Sequence, residues 1–271
     1  MKIAIEHALA LEKSKKSNIW KESYAIRSYE VNSKGSLSII SLCHLMQEAA
    51  EKHAITMGLA LEDLRSDNLT WVLSRFALKI DAYPGWKDQI QVYTWPSGIQ
   101  RLFALRDFLV TDQDNRPLAA SVSAWLIINA ETRRPVRMQP FIDKLNIVEQ
   151  DHVLRHKLDK LPELKRHGHG QRFRVRYRDL DLNQHVNNVS YIEWVVESVP
   201  SDIQNTSTLS ELEINFQAEA FFGDHVVARC HPQSTDRSTF LHNIIREGDN
   251  QEVVRAKTAW RKVNAINQKN I

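Results

Sequence analysis

Apolar and polar residues follow two periods along this chain, and the periods change in the same order twice. Tyr24 to Val31 alternates like a strand. Leu42, Leu45, Met46, Ala49, Ala50, His53 and Ala54 then share one helical face, with Glu48, Glu51 and Lys52 opposite. Gly58 suits the end of that helix, since it adopts a left-handed terminus without steric cost. Alternation returns over Trp71 to Asp81 and Gln89 to Trp95, separated by the turn residues Tyr83-Pro84-Gly85-Trp86. Gln100 to Thr111 and Leu118 to Asn129 pair across Asp112-Gln113-Asp114-Asn115. The second pass begins at Val175 to Tyr177, a strand. Val189, Ile192, Val195, Val196 and Val199 follow on one helical face. Leu212 to Phe222, Val226 to His231, Thr239 to Glu247 and Val253 to Val263 read as strands. Met1 to Lys21 reads as an N-terminal helix or arm.

The order strand, helix, meander therefore occurs twice, and residues repeat with it. Asp114-Asn115 with Ala124-Trp125 returns as Asp249-Asn250 with Ala259-Trp260, 135 positions later. Gly85-x-x-Asp88 returns in weaker form as Gly223-Asp224. The fold class this predicts is α+β, two antiparallel sheets each covering its apolar face with one central helix. Between the halves, 141–168 is charged, contains Pro162 and runs into Gly168-His169-Gly170. It reads as a linker with a helix near Val148 to Leu161. The expected organisation is a first domain over 1–140, the linker over 141–168 and a second domain over 169–271.

Composition excludes several functions. The 271 residues are 42% hydrophobic and 25% charged, an ordinary globular balance. A net charge of +3 with no basic run interleaved with aromatics gives no footprint for nucleic acid. No apolar run approaches a membrane span. Met1 to Leu11 carries Glu6 and His7 with no small-residue cleavage pattern, so a secretory leader is not expected and a cytoplasmic location is. Eight glycines form no phosphate loop, and no cofactor is expected. No Cys-x-x-Cys or His-x-x-x-His spacing calls for a metal, and His167 with His169 is better explained as linker. Cys43 and Cys230 read as small buried residues rather than nucleophiles. Basic clusters occur at Arg133, Arg134 and Arg137, at Lys165 and Arg166, and at Arg172, Arg174, Arg176 and Arg178. Most such charges are solvated faces; an acidic protein partner is the other reading.

The chemistry concentrates between Tyr177 and Tyr191, Tyr-Arg-Asp-Leu-Asp-Leu-Asn-Gln-His-Val-Asn-Asn-Val-Ser-Tyr. Asn187 and Asn188 stand where a helix N-cap belongs, and Ser190 with Glu193 has capping-box spacing. The polar run thus leads into a buried helix, whose N-terminal N–H groups suit a developing oxyanion. Asp181, Asn183 and His185 alternate, so an extended chain points all three the same way. His185 is the natural acid/base group, Asn183 a donor, and Asp181 an orienting group or proton acceptor. The first half has Val31-Asn32-Ser33-Lys34-Gly35-Ser36-Leu37-Ser38 at the matching helix entry, without acid, amide and imidazole together. Turn chemistry alone also explains an Asp-Leu-Asp or Asn-Asn pair.

Asp179-Leu-Asp-Leu-Asn-Gln-His-Val-Asn-Asn-Val-Ser-Tyr-Ile192 closely resembles the signature of the acyl-acyl carrier protein thioesterases. Ile26-Arg-Ser-Tyr-Glu30, Asn68-Leu-Thr-Trp-Val-Leu-Ser-Arg75, Tyr83-Pro-Gly-Trp86 and Thr132-Arg-Arg-Pro135 resemble further landmarks in the family's order, from about Tyr24 to about Trp260. The resemblance implies a tandem hot-dog fold and hydrolysis of fatty acyl-acyl carrier protein. It also implies a catalytic second domain and an acyl-chain pocket in the first, for which Leu42, Met46 and Trp71 are candidates. Phe216-Gln-Ala-Glu-Ala220 is similar to the family segment bearing its catalytic Glu, which assigns that role to Glu219, 34 residues after His185. From the residues alone, Glu219 is equally a surface group on a strand. Plant members carry Cys where this chain has Ala220, so no Cys-His-Asn mechanism operates through that position. The expectation is water-based hydrolysis by His185, Glu219 and Asp181, with Asn183 and helix N–H groups on the thioester oxygen. The alternatives are an acyl-CoA thioesterase, a hydratase and a non-catalytic acyl carrier. The usual Asn-Pro-x-His loop of the hydratases is absent from Asn183-Gln184-His185-Val186. Exposed sheet edges are compatible with a homodimer.

Overall fold

A computed structural model describes residues 18–148, 151–164 and 169–263. The chain divides into two units, Met1–Leu158 and Asp159–Ile271. Residues 1–17 of the predicted N-terminal arm lie outside the described part, as do Lys165, Arg166 and His167.

Unit 1 holds β1 (Trp20–Ala25), α1 (Ile39–Thr56), α2 (Leu61–Arg65), β2 (Leu69–Ile80), β3 (Gln89–Gln100), β4 (Phe103–Asp112), β5 (Pro117–Asn129) and α3 (Ile142–Leu145). Its strands run antiparallel in the order β1-β3-β4-β5-β2. The predicted helix forms because Ile39, Leu42, Cys43, Met46, Ala49 and His53 recur at helical spacing and bury together, against β3 and β1. Ser38 starts it, its Oγ accepting the N–H of Ser41 at 3.0 Å. Gly58 ends it at φ +62°, a conformation that favours glycine. His53 is buried and neutral: burial first, then the Arg106 guanidinium, push its pKa down to about 3. Arg106 approaches Nδ1 at 3.2 Å and Asn18 Oδ1 lies 2.9 Å from Nε2, so Nε2 carries the proton.

Among the described residues of the span Val148 to Leu161 the expected helix does not form. Burial is not helical there, and polar contacts of the segment go to other elements. Asp107, fully buried on β4, accepts the Val153 N–H at 2.8 Å and faces His152 Nδ1 at 2.9 Å. Val153 and Leu154 pack with Tyr93, Trp95, Leu109 and Val122. Downstream of the division, the Leu161 N–H donates to Asn215 Oδ1 at 2.7 Å. The division between the units falls at Leu158/Asp159, inside the expected 141–168 linker.

Unit 2 holds β6 (His169–Arg174), α4 (Asn188–Glu197), α5 (Ser201–Thr206), β7 (Ser207–Phe216), β8 (His225–Pro232), β9 (Thr239–Arg246) and β10 (Gln251–Lys262). The strand order β6-β8-β9-β10-β7 repeats that of unit 1. Helix α4 lies on β8 and β9. Asn115 and Asn250, the repeated residues, both take left-handed φ, +60° and +55°, at matching hairpins. Three expectations shift. The first strand ends at Arg174, and Tyr177–Asp179 is a 3-10 turn instead. Strand β7 stops at Phe216 rather than Phe222, because Gln217 and Ala218 both donate to the Val253 carbonyl and break the ladder. Helix α5 was not expected, being short, polar and without an apolar period. His242 is one of the buried polar groups of this unit, between Ser198 Oγ (3.1 Å) and Thr258 Oγ1 (2.8 Å), with burial pushing its pKa down to about 3.

Candidate active site

The entry to α4 is built by backbone hydrogen bonds that the local sequence specifies. Asp179 is buried and accepts the N–H of Arg176 at 2.7 Å and its guanidinium at 3.0 and 3.1 Å. Its own carbonyl takes the Asn187 N–H at 2.8 Å. Between these fixed points the chain makes a tight loop. The Asp181 N–H donates to the His185 carbonyl at 2.7 Å, and Gln184 turns the corner at φ +63°. Asp181 Oδ1 accepts the N–H groups of Asn183 at 2.8 Å and His185 at 3.1 Å. Asn187 caps the helix, its Oδ1 accepting the Val189 N–H at 2.9 Å. Of the two predicted cap signals the structure uses Asn187. Ser190 instead donates to the Asp179 carbonyl at 3.3 Å.

A second segment comes to this loop from the end of β7. Val186 donates to the Ala220 carbonyl at 3.1 Å, and the Ala220 N–H reaches the Tyr191 hydroxyl at 2.8 Å. The Arg246 guanidinium donates to the Glu219 carbonyl. Glu219 is therefore on a pinned loop, not on the strand that the alternation suggested. His185 Nδ1 and Glu219 Oε1 stand 3.4 Å apart, with 25% and 31% of the side chains exposed. The Phe221 ring meets the imidazole edge-on, centroids 5.4 Å apart. The pair is wet enough to meet a substrate and sheltered enough for its charge to matter.

Of the four residues singled out, the structure brings His185 and Glu219 together by their side chains. Asp181 touches the backbone of Asn183 and His185, so its visible contact is with the loop. The helix N–H groups expected at an oxyanion are partly taken: Val189 by the Asn187 side chain, Ser190 by the Asn187 carbonyl. Sequence reasoning missed Tyr191, Arg246 and Phe221, which hold the Glu219 segment and the imidazole. Tyr191 lay inside the signature run, but only the folded chain pairs its hydroxyl with Ala220. Leu42 and Met46 are buried on α1. Trp71 donates Nε1 to the Leu59 carbonyl at 2.9 Å and packs beside Leu59, Leu64 and Ile127. Cys43 and Cys230 are free and buried, and burial pushes their thiols up to about 12 and about 11. Among the described residues no three His, Cys, Asp or Glu side chains gather into a metal-holding group.

Unit 1 contains the same two segments with other side chains. Asn32 stands for Asp181, its Oδ1 accepting the N–H groups of Lys34 at 2.9 Å and Ser36 at 3.3 Å. Ser36 stands for His185 and Tyr83 for Glu219, since Leu37 bonds the Pro84 carbonyl as Val186 bonds that of Ala220. Gly85 matches Phe221, and Asp88 matches Asp224, each carboxylate closing its turn at 2.7 and 2.9 Å. The weak Gly-Asp repeat in the sequence thus aligns on its aspartates, not on its glycines.

Residues 17–145 match the family model described as the acyl-ACP thioesterase N-terminal domain, and 163–262 that of the C-terminal domain. An oleoyl-acyl carrier protein thioesterase of Arabidopsis thaliana is 30% identical over 90% of this chain and 76% of its own length. A palmitoyl-acyl carrier protein thioesterase of Gossypium hirsutum is 31% identical over 93% of this chain and 66% of its own length. The chain spans 62% to 77% of such curated relatives, so up to a third or more of some of them has no counterpart here. The crystal structure of an acyl-ACP thioesterase from Bacteroides thetaiotaomicron is 27% identical. It superposes with a TM-score of 0.82 over 92% of this chain and 100% of that one. Two matched domains in series, this identity and this superposition follow the loop geometry described above, and the chain belongs to the acyl-acyl carrier protein thioesterase family.

Proposed function

We propose that this protein hydrolyses the thioester of fatty acyl-acyl carrier protein, releasing free fatty acid and ending chain growth, with His185 and Glu219 as its reacting pair. The observation that carries this reading is their 3.4 Å contact at the loop before α4. It occurs in the one of two matching loops that has an imidazole and a carboxylate. The relatives' names supply the substrate class. Each unit is read as a hot-dog domain whose sheet wraps its helix, α1 or α4, with the acyl chain received in unit 1 near Leu42, Met46 and Trp71.

The Glu219 carboxylate beside Nδ1 favours the tautomer with its proton there, leaving the Nε2 lone pair to take a proton from water. The hydroxide formed adds to the thioester carbonyl. The Asn183 amide donates to the resulting oxyanion, and collapse expels the thiolate, which takes the proton back from Nε2. Water, acid and thiol then balance with no group left on the protein. Asp181 sets the positions of Asn183 and His185 through their backbone N–H groups. Thiol release should be followed for purified protein on carrier protein thioesters of several chain lengths and on the matching coenzyme A thioesters. Faster release from the carrier protein is expected. Release only from coenzyme A would reassign the substrate, and no release from either would leave an acyl-binding protein.

A further inference from the structure

Unit 2 carries an exposed aromatic and cationic lip that the reaction itself does not use. Tyr177 is 76% exposed and Phe222 57% exposed, and the two rings meet edge-on at 6.3 Å. Phe222 directly follows Phe221, which touches His185. Apolar rings left in water beside a catalytic pair mark a contact surface better than a scattered side chain would. Four arginines flank the rings, and two of them are engaged. Arg172 pairs with Glu247 at 2.8 Å and Arg176 with Asp179. Arg174 and Arg178 are exposed and have no carboxylate partner among the described residues.

The matching turn of unit 1 makes this lip informative. In its Arg27–Glu30 turn the Arg27 N–H donates to the Glu30 carboxylate as that of Arg176 does to the Asp179 carboxylate, 2.7 Å in both. At the positions of Arg174 and Arg178 it has Ala25 and Tyr29. A free guanidinium is not needed to build the turn. Unit 1 also exposes rings there, Tyr29 and Trp86, but Arg27 and Lys87 lie over them, and it has no cation at the positions of Arg174 and Arg178.

We propose that Arg174 and Arg178, with Tyr177 and Phe222 between and beside them, dock an acidic face of the carrier protein so that its thioester arm reaches His185. This rests on the catalytic reading of that residue. Two unpaired guanidiniums call for carboxylates on the partner, and exposed rim charges act mainly on encounter and on salt dependence.

The test compares acyl-carrier protein with the acyl N-acetylcysteamine thioester, which is neutral and has no protein to dock, on wild type, R174A/R178A and R174E/R178E. KM for the carrier protein substrate should rise about tenfold in the alanine pair and further in the reversal. Turnover of the small thioester should stay within about twofold, because neither arginine touches the reacting atoms. Salt between roughly 0.05 and 0.5 M should raise the wild-type KM steeply and that of the variants little. An unchanged KM, or equal losses on both substrates, overturns the proposal. So does loss of a self-associated species in sedimentation alongside unchanged KM, which would give the lip to a second copy of this chain. If wild type cleaves neither thioester, the catalytic reading is what has failed. Titration with the holo carrier protein then decides docking alone: weaker binding to R174E/R178E supports it and equal binding overturns it.

Discussion

The loops before α1 and α4 have one backbone and two fates. In each, a side-chain oxygen at the first position, Asn32 or Asp181, gathers the N–H groups two and four residues on. In each, a left-handed residue turns the corner, Gly35 at φ +75° or Gln184 at φ +63°. In each, the next segment is held by an aspartate, Asp88 or Asp224. What differs is the cargo: Ser36 and Tyr83 in unit 1, His185 and Glu219 in unit 2. The loop is therefore a structural device that folds without the chemistry. An Asp in its first position is not by that fact a catalytic acid, because an Asn makes the same bonds.

This comparison can be broken most severely at the cargo. His185→Ala and Glu219→Gln should each lower kcat by about 10²- to 10⁴-fold with an unchanged melting temperature. Ser36→Ala and Tyr83→Phe should leave kcat within about twofold. Steady-state thiol release on the four variants checks this, and equal losses in both units would show that the loops share the work.

The first loop position sharpens it next. Asp181→Ala removes an acceptor for two N–H groups and should cost about 100-fold in kcat as Asn183 and His185 lose their placement. Asp181→Asn keeps the bonds that Asn32 makes and should cost about tenfold or less. If the Asn variant is as inactive as the Ala variant with the fold intact, Asp181 acts through its charge.

The smallest effect concerns stability. Among the described residues each unit buries one histidine, His53 or His242, whose pKa burial depresses to about 3. Protons bind these rings in the unfolded chain first. Their stabilising contribution is full above the unfolded pKa of about 6.5 and is lost as pH falls from there toward 3. Melting temperature should decline over that window, and less steeply in His53→Gln and His242→Gln than in wild type. Slopes equal to that of wild type would mean that other groups govern acid sensitivity.

Much of this was legible in the residues. The face of α1 follows from Leu42, Met46, Ala49 and His53 because burial selects one side of a 3.6-residue period. The strands from Leu69 to Asn129 follow from alternation, and the duplication from the Asn115 and Asn250 hairpins. The candidate loop was legible around Asp181, Asn183 and His185 because it is contiguous in sequence. It was less legible at Glu219. Alternation continued past Phe216, whereas two N–H groups competing for the Val253 carbonyl ended the strand there. The 148–161 segment misled for a similar reason: its apolar residues allowed a helix, and the buried Asp107 carboxylate on β4 took the Val153 N–H instead.

The sequence by itself determined most of the elements, the duplication and the identities of the candidate site residues, since local period and turn chemistry act between near neighbours. Tertiary structure alone decided which of them meet. Tyr191, Arg246 and Val186 carry the Glu219 segment to within 3.4 Å of His185. The same folding leaves Asp181 facing backbone amides. Such pairings arise between residues far apart along the chain, where burial and hydrogen-bond satisfaction of the whole unit, rather than any local pattern, choose the partner.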